Sequence, residues 1–431
     1  MYDLIVIGGG TAGCACAYIA GKLGLKVLLI EKKIHLGGTI TSGLVVPLMH
    51  SGNNQINTEF YSDLIFEMQN LGGQITYQNN QGWFNPELLK IALDNLMSKV
   101  GVEVRFNSCI KQVSHKNRVI EQVYLNNKIL SEYSDTIHGD NNVEEILSSP
   151  IGARYYVDAT GNCEFAKKIN CEFLQENEKF QPMSLRFIMS GIDLVTFSKW
   201  LTELDSDRTN TTCELINDEI HLSTAYTWDT ARKWALAPLF KKAVQENTLK
   251  ESDCNYFQIF TVAGMPGSVA FNCPRIVKEY DYDSIQDVTE LLKEARQAIF
   301  RLSLFCKKYF PGFERAYISN IADEVGVRVS NRIRGKYIYT YDDIITGKKF
   351  DNPVVISNYP VDVHSFVKDN SKLVKTSDYQ LPIEALMSND YDNLFVAGRC
   401  LSADFSAQGA LRVQASCFSM GEAIARYVNS H

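Results

Sequence analysis

The sequence lacks three features that would each define a class of protein. It has no uncharged apolar run of ~18 or more residues, so no membrane-spanning helix is predicted. Its first apolar run, LIVIG, has the length of a strand and lacks a basic lead-in and a cleavage site, so we expect a cytoplasmic protein without a signal peptide. Acidic residues outnumber basic ones, 50 to 43, and the formal net charge of −7 argues against nucleic acid as a partner.

The cysteine spacing shows neither a disulfide framework nor a zinc site. The 11 cysteines are odd in number and scattered, and they form no C-x-x-C pair. We therefore predict reduced, mostly buried thiols. Asp135, His138 and Asp140 stand close together in a polar stretch, but no further ligand pair is spaced to complete a site. We predict a solvated loop there and no bound metal.

The glycine-rich segment GGGTAG follows a short apolar strand and opens a small-residue helix. Gly8 permits a tight turn, Gly10 lets the backbone approach a pyrophosphate, and Gly13 lets helix and strand pack closely. A second buried strand, LKVLLIE, ends at Glu31, which suits an acceptor of ribose hydroxyls and would repel a 2′-phosphate. A glycine-rich structural turn is the alternative, but the ordered strand, glycines, helix, strand and acid favour a bound dinucleotide.

The residues after Glu31 indicate which dinucleotide is bound. The doublet Gly37–Gly38 in GGTITSG resembles the FAD-binding continuation of the two-dinucleotide-binding flavoproteins, where the backbone passes close to the cofactor. No second strand–glycine–helix unit follows, so we expect no separate NAD(P)H domain. No cysteine lies between Gly38 and Cys109, so the redox cysteine pair of the pyridine-nucleotide disulfide reductases is missing.

Several segments downstream have clear patterns. The stretch 84–101 predicts a helix with Asn85 as its N-cap and a proline in the first turn. Residues 102–126 alternate like the strands of a hairpin or meander. Residues 127–150 are polar and acidic and predict a surface excursion. The segment ARYYVDATGNCEFA, 153–166, predicts a buried strand that runs into an Ala-Thr-Gly turn.

The rest of the chain has a varied middle and an end rich in motifs. Residues 172–380 mix strand patterns with a helix at 286–308, which predicts a substrate or cap domain. Within 393–428 a strand, NLFVAG, leads through a loop to a helix that opens near Gly409. If that helix points its N-terminus at a flavin, it stabilises negative charge on the reduced ring.

Together these pieces resemble the FAD-dependent oxidoreductases of the glutathione-reductase-like flavoprotein superfamily, near the fumarate-reductase flavoproteins. The matching segments, in chain order, are GGGTAG, GGTITSG, NPELLK, VDATGNCEFA, QPMSLRF, VRVSNRIRG, YPVDVHSF, YQLPIEAL and VAGRCLSA…AQGALRVQASCFSMGEA. The resemblance implies an α/β fold: a Rossmann-like FAD-binding domain of glutathione-reductase type with an inserted α+β substrate/cap domain. Residues 1–171 and 381–431 would form the FAD-binding domain and 172–380 the insert.

The resemblance also implies FAD as the cofactor and a set of residues that line it. These are Gly8, Gly10, Thr11, Ala12, Gly13, Glu31, Gly38, Thr39, Ala159, Gly161, Gly398, Arg399, Gly409 and Ala410. The alternative for some of them is a role in shaping turns only. At Cys400, in the same loop, we predict a packed thiol rather than a covalent flavin thioether.

The chain departs from the family pattern at two positions. Asn162 stands where an acid usually follows the Ala-Thr-Gly turn, and Asn331 replaces an arginine in the segment 328–333. The loss of the acid and one arginine either changes the substrate or weakens a salt bridge that only supports the site.

The candidate catalytic residues follow from what flavin chemistry requires. A flavin accepts the hydride, so the protein orients the substrate, moves one proton and tunes charge. Histidine suits the proton transfer, and His364 in YPVDVHSF is the first candidate, with Asp362 on the same strand face. Arg328 and Arg332 are candidates for binding a substrate carboxylate or an oxyanion. The alternatives are a structural histidine and interdomain salt bridges, and His50 is a weaker candidate for the substrate side.

Three functions remain open at this point. The first is an enzyme that transfers a hydride between a small polar organic substrate and flavin N5, with an electron acceptor still to be named. The second adds a hydride to an activated double bond, as the fumarate-reductase relatives do, with Arg328 and Arg332 as an anion clamp and His364 as proton donor. The third is a binding protein that keeps the fold without catalysis, and the intact glycine and acid positions argue against it.

Overall fold

The computed structural model describes residues 1–49, 51–52, 54–127, 149–175, 180–207, 210–225, 234–364 and 372–431. Within them the strands are β1 (Tyr2–Ile7), β2 (Val27–Ile30), β3 (Gln74–Tyr77), β4 (Asn80–Phe84), β5 (Glu103–Arg105), β6 (Ser108–Lys116), β7 (Val119–Asn127), β8 (Ala153–Asp158), β9 (Met183–Ser184), β10 (Phe187–Ser190), β11 (Thr211–Ile216), β12 (Glu219–Ala225), β13 (Gln258–Thr261), β14 (Val269–Phe271), β15 (Arg275–Ile276), β16 (Tyr317–Ile321), β17 (Pro353–Ser357), β18 (Val361–Val363), β19 (Lys372–Val374), β20 (Tyr379–Pro382) and β21 (Leu394–Val396). The α-helices are α1 (Thr11–Lys22), α2 (Glu59–Asn70), α3 (Pro86–Lys99), α4 (Glu164–Lys168), α5 (Leu194–Leu204), α6 (Ala237–Gln245), α7 (Ile285–Tyr309), α8 (Tyr341–Ile345), α9 (Phe405–Leu411) and α10 (Gln414–Ser430). The candidates His50, Asp135, His138 and Asp140 lie outside the described residues, as does most of the predicted surface excursion.

A five-stranded parallel sheet joins the two ends of the chain. Its strand order is β21-β8-β1-β2-β5, and every neighbouring pair is parallel. Strand β21 comes from the C-terminal segment and pairs with β8, with Phe395 opposite Val157. This arrangement confirms the predicted α/β fold with a Rossmann-like nucleotide-binding sheet.

Strand β1 is apolar throughout because both of its faces are covered. Leu4 and Val6 lie in a hydrophobic cluster that includes residues of α1, whereas Ile5 and Ile7 lie in a second cluster on the opposite face. A central parallel strand buried on both sides has a continuous apolar run rather than an alternating pattern.

The hairpin predicted for 102–126 divides between two sheets. Strand β5 joins the parallel sheet beside β2, and β6 and β7 form a separate antiparallel pair. The turn between them contains Asn117 and Arg118, both with positive φ, 47° and 65°. Two successive positive φ values match the right-handed twist of a tight hairpin.

The predicted insert 172–380 contains an antiparallel sheet of six strands in the order β11-β12-β13-β14-β10-β16. The predicted helix at 286–308 is α7, which spans Ile285–Tyr309 and is capped where the Ser284 side chain accepts the Asp287 N–H. No helix in the described parts of the chain is both long enough and apolar enough to cross a membrane.

The C-terminal helix begins later than predicted. Gly409 lies inside the short helix α9, the chain leaves the helical conformation at Val413 (ψ 148°), and α10 starts at Gln414. Arg412 is the C-cap of α9, and Arg412, Val413 and Gln414 at this break all line the central cavity described below.

Helix α10 packs on α1 at a glycine, which generates a prediction. A Cβ at Gly421 would lie 2.1 Å from the Ala12 carbonyl oxygen and 2.9 Å from the Cys16 nitrogen. In an open helix Gly→Ala stabilises by roughly 0.5–1 kcal/mol, but here we expect Gly421→Ala to destabilise by about 1–3 kcal/mol because the helices must separate. Thermal unfolding measures this, with Ser430→Ala at the exposed end of α10 as the control. A raised melting temperature for Gly421→Ala would contradict the packing.

Candidate functional site

The glycine loop between β1 and α1 is shaped by contacts between backbones. Gly8 has a φ of +98°, and a Cβ there would lie 2.7 Å from the Ala159 carbonyl oxygen. A Cβ on Gly13 would lie 1.9 Å from the Gly8 carbonyl oxygen. At Gly10, by contrast, the nearest atom to such a Cβ is 3.9 Å away. Gly8 and Gly13 therefore allow close backbone contacts within the loop, whereas the space beside Gly10 is open.

The Gly37–Gly38 doublet packs against this loop. The Gly37 N–H donates to the Gly9 carbonyl at 2.8 Å, and a Cβ on Gly38 would lie 2.9 Å from the Gly10 Cα. Both glycines have positive φ, 102° and 54°. The doublet thus forms the second wall of the opening above Gly10.

Glu31, at the end of β2, is buried and lies at the edge of the same opening. Its carboxylate accepts the Gly9 N–H at 2.7 Å and the Lys33 N–H at 2.9 Å. The two neighbouring lysines are paired, Lys32 with Glu164 and Lys33 with Glu324. Their charges are therefore compensated, which agrees with a site for a 2′-hydroxyl rather than a 2′-phosphate.

The Ala-Thr-Gly turn after β8 is organised by Asp158. This buried carboxylate accepts the Thr160 N–H at 3.0 Å, the Thr160 hydroxyl at 2.6 Å and the Ala166 N–H at 2.9 Å. Arg399 of the return segment donates from Nε to the Gly161 carbonyl at 3.2 Å. The turn and the return segment thereby close a third side of the opening.

These walls enclose one continuous cavity of about 450 Å³. Of the residues predicted to bind a cofactor or act in catalysis, those that line it are Gly8, Gly10, Thr11, Ala12, Glu31, Gly38, Thr39, Ala159, Gly161, Arg328, His364, Gly398 and Arg399. The N-terminus of α1 opens into it without a side-chain cap. Free N–H groups at a helix N-terminus attract phosphate.

Four predicted residues do not line the cavity, and each has another role. Gly13 allows α1 to pack on the Gly8 turn. Gly409 allows α9 to pack on β18, since a Cβ there would lie 3.2 Å from the Asp362 carbonyl. The Ala410 carbonyl accepts from Tyr379 at 3.4 Å. The fourth is Arg332.

Arg332 is predicted to pair with Arg328 at the substrate, but it does not line the cavity with Arg328. It is buried away from the cavity, and its carbonyl accepts the Leu174 N–H at 2.9 Å. Arg328 lines the cavity and Arg332 does not, and the segment between them is neither helix nor strand. Cys400 also lies outside the cavity, and its sulfur accepts the Cys163 N–H at 3.1 Å.

Arg328 shares the cavity with three further arginines that the sequence analysis did not single out. We call this group the arginine cluster: Arg186, Arg275, Arg328 and Arg412. Burial, and then the charges of the other three members, lower the pKa of Arg328 well below its usual range. All four guanidinium groups line the same cavity, where like charges repel one another.

Asp362, in β18, and His364, the residue after β18, both face the arginine cluster. His364 Nε2 lies 3.1 Å from Asp362 Oδ2. Burial, followed by the charge of Arg328, lowers the pKa of His364 to about 3, against the opposing effect of Asp362. Burial acts to raise the pKa of Asp362, but the hydrogen bond from His364 and the charge of Arg412 hold it well below its usual range. The pair is therefore an ionised carboxylate and a neutral imidazole.

Sequence reasoning missed three members of the arginine cluster. Arg186 and Arg412 lie in the segments QPMSLRF and AQGALRVQA, which were recognised as family motifs without a role for their basic residue. A single arginine in an otherwise apolar segment is costly to bury without a partner. That signal would have marked both residues. Arg275 in NCPRIV follows the same pattern.

The two departures from the family pattern lie in contact with each other. Asn331 Nδ2 donates to Asn162 Oδ1 at 3.1 Å, and both side-chain amides donate to Asp283, at 3.0 and 2.7 Å. Lys167 also pairs with Asp283, at 2.7 Å. An acid at 162 and an arginine at 331 would form an ion pair in this place. The two departures therefore lie in one hydrogen-bonded network, and neither asparagine lines the cavity.

The parallel sheet, the glycine loop and the acid at the end of β2 define a dinucleotide-binding α/β protein. The model of the FAD dependent oxidoreductase family matches residues 3–429, and the chain belongs to this family. It is an enzyme, and its cofactor is FAD. The residues present fit that cofactor: the backbone is open at Gly10, the N-terminus of α1 is uncapped, and Glu31 lines the same cavity.

The matches to individual curated proteins cover much less of the chain than the match to the family model does. The chain is 51% identical over 41 residues to the thiamine thiazole synthase of Methanoculleus marisnigri, covering 10% of this chain and 16% of that protein. It is 25% identical over 120 residues to the digeranylgeranylglycerophospholipid reductase of Thermoplasma acidophilum, covering 24% and 29%. The chain thus spans less than a third of the length of these curated relatives.

Solved structures align with the whole chain at low identity. A geranylgeranyl bacteriochlorophyll reductase-like protein from Thermoplasma acidophilum has a TM-score of 0.45 and 13% identity, covering 100% of this chain and 78% of that one. The p-nitrophenol 4-monooxygenase of Pseudomonas putida has a TM-score of 0.48 and 11% identity, also covering 100% and 78%.

Gly10 and Gly13 are expected to have different roles, Gly10 in cofactor binding and Gly13 in folding. We expect Gly10→Ala to fold with near-normal stability but to bind FAD at least about tenfold more weakly, because its methyl group enters the space the phosphates need. Gly13→Ala should destabilise the apoprotein, because its methyl group meets the Gly8 carbonyl. Thermal unfolding of the apoproteins and FAD titration measure the two effects. Equal loss of apoprotein stability in both variants would refute this division of roles.

The paired asparagines predict a coupled effect on stability. Asn162→Asp places a second carboxylate against Asp283, so we expect a loss of roughly 1–3 kcal/mol in the free energy of unfolding. Adding Asn331→Arg should restore at least about 1 kcal/mol, because the new ions pair. Denaturant unfolding of both single variants and the double variant completes the cycle. A double variant no more stable than Asn162→Asp would show that the two sites are independent.

Proposed function

We propose that this enzyme transfers a hydride between a small polar organic substrate and flavin N5, and that His364 moves the accompanying proton. The observation that carries the proposal is that His364 and Asp362 line the same cavity as the glycine loop and Glu31. FAD supplies the hydride-accepting atom when bound. The side chains of the cavity then have to bind the substrate, orient it and handle one proton.

The protonation state of His364 favours a proton acceptor. Ionised Asp362 can only accept a hydrogen bond, so His364 Nε2 carries the proton and donates to it. His364 Nδ1 is then the acceptor, and it is buried with no hydrogen bond from any of the described residues. A buried imidazole nitrogen with a free lone pair suits removal of a proton from an alcohol or amine. The alternative, reduction of an activated double bond, requires a protonated group in that place.

The N-terminus of α10 adds a second electrostatic feature. Val413 and Gln414 line the cavity, and the Val413 side chain gives this helix no cap. The positive end of the helix dipole therefore acts on the cavity and favours negative charge there. Such charge develops on a flavin when it is reduced, which supports the redox function proposed here.

The test is anaerobic reduction of the bound flavin by a panel of small hydroxy and amino acids. With an acid that bleaches the wild-type flavin, we expect His364→Gln to slow bleaching by roughly 10²–10⁴-fold while FAD stays bound. His115→Gln, on the exposed hairpin against Tyr391, should leave the rate unchanged. Wild-type bleaching rates in His364→Gln would remove the proton role, and a flavin that no member of the panel bleaches would count against the proposed substrate class.

A further inference from the structure

Tyr359 lines the same cavity as Asp362 and His364, and the proposed function gives it no role. We infer that Tyr359 is a second catalytic residue, whose hydroxyl donates a hydrogen bond to the oxygen of a substrate alcohol while His364 Nδ1 accepts the proton of that alcohol. The inference rests on the proposed function and deepens it, because it names the substrate as an alcohol rather than an amine.

The backbone of Tyr359 is held in place, whereas its hydroxyl has no partner among the described residues. The Tyr359 N–H donates to Ser357 Oγ at 3.1 Å. Its carbonyl oxygen accepts from the hydroxyl of Tyr379 at 3.0 Å and from that of Thr376 at 3.3 Å. Within the described chain these are the hydrogen bonds of Tyr359, and none of them involves its phenol oxygen. A fixed backbone thus carries a free hydroxyl on the cavity wall.

The Tyr359 hydroxyl keeps its proton and can therefore donate it to a ligand. Burial, and then the charge of Asp362, raise the pKa of Tyr359 to about 12, against the opposing effect of Arg412. The other tyrosine among the described lining residues is Tyr256, whose hydroxyl donates to Gln258 Oε1 at 2.7 Å. Tyr256 therefore has no proton left to donate, whereas Tyr359 has one.

His364 and Tyr359 offer a ligand complementary groups. His364 Nδ1 is an acceptor without a partner in the described chain, and the Tyr359 hydroxyl is a donor. Both residues belong to the segment YPVDVH, 359–364, so one short piece of chain supplies the two groups to one cavity. An alcohol matches both of them, because its O–H donates and its oxygen lone pairs accept.

The reaction of an alcohol uses both groups. Its C–H bond breaks and the hydride leaves with both electrons for flavin N5, its O–H bond breaks and the proton moves to His364 Nδ1, and a carbonyl group forms. The hydrogen bond from Tyr359 stabilises the negative charge that develops on the oxygen. An amine has a single nitrogen lone pair, which must form the new C=N bond. A hydrogen bond from Tyr359 to that lone pair would oppose the reaction, so the donor favours alcohols.

The first test compares hydroxy acids with amino acids of the same carbon skeleton, lactate with alanine and malate with aspartate, as anaerobic reductants of the holoenzyme. We expect each amino acid to bleach the flavin at least about tenfold more slowly than its hydroxy counterpart. Tyr359→Phe should slow bleaching by the hydroxy acid roughly 10²–10³-fold and change its half-saturating concentration by less than about tenfold. Tyr317→Phe, at an exposed position, should leave the rate unchanged.

The second test measures binding without turnover. 2-Hydroxyisobutyrate, 2-aminoisobutyrate and pivalate have no C–H bond at the carbon that would be oxidised, and pivalate replaces the hydroxyl with a methyl group. Calorimetry and flavin absorbance measure their binding to the oxidised holoenzyme. We expect 2-hydroxyisobutyrate to bind roughly three- to tenfold more tightly than either of the other two, and Tyr359→Phe to remove its advantage over pivalate.

The outcomes separate the inference from the proposed function. Loss of bleaching in His364→Gln with a wild-type rate in Tyr359→Phe would keep the proposed function and overturn the inference. Faster bleaching by amino acids would overturn it, as would equal binding, or no binding, of 2-hydroxyisobutyrate and pivalate to the wild-type protein. If no acid bleaches the flavin but Tyr359→Phe removes the preference for the hydroxyl, the proposed reaction is rejected and the hydrogen bond is kept. Reoxidation of the chemically reduced enzyme by an enoate acid, lost in Tyr359→Phe, would overturn the inference in favour of proton donation to a double bond.

Discussion

Contact between backbones at the carboxyl end of β1 is the constraint on which the rest of the structure depends. The Gly8 turn lies against Ala159, Gly13 lies against Gly8, and Gly421 lies against α1, each at a distance that leaves no room for a side chain. These contacts bring segments from the start, the middle and the end of the chain to one point. The dinucleotide cavity exists because the glycines allow this approach while Gly10 leaves an opening.

The two ends of the cavity differ in the balance of their charged side chains. At the Glu31 end, lysines and acids are paired and the carboxylate is satisfied by backbone amides. At the His364 end, positive charge exceeds negative charge among the described lining residues. Burial, followed by the charge of Arg328, lowers the pKa of His364 and keeps its imidazole neutral.

The departures from the family pattern show how a supporting network can change without altering the cavity. Asn162 and Asn331 form a hydrogen bond with each other, and both donate to Asp283. Asp283 carries the negative charge of this network and is paired with Lys167. The two amides are neutral and need no counter-charge, and both donate hydrogen bonds to Asp283, just before α7. The sequence left open whether this loss affects the substrate, and the placement of both residues outside the cavity favours a supporting role.

Local patterns in the sequence were sufficient to determine the nucleotide-binding half of the molecule. The glycine spacing from Gly8 to Gly13, the acid at the end of β2 and the cap at Asn85, which accepts the Glu87 and Leu88 N–H groups, can each be recognised from a short stretch of the sequence. The arginine cluster was decided only by the tertiary structure. Its members come from strands and loops far apart in sequence, and none belongs to a periodic pattern that would indicate a shared cavity. A buried charge is explained by what lies opposite it in space, and only the folded chain brings the four guanidinium groups to His364.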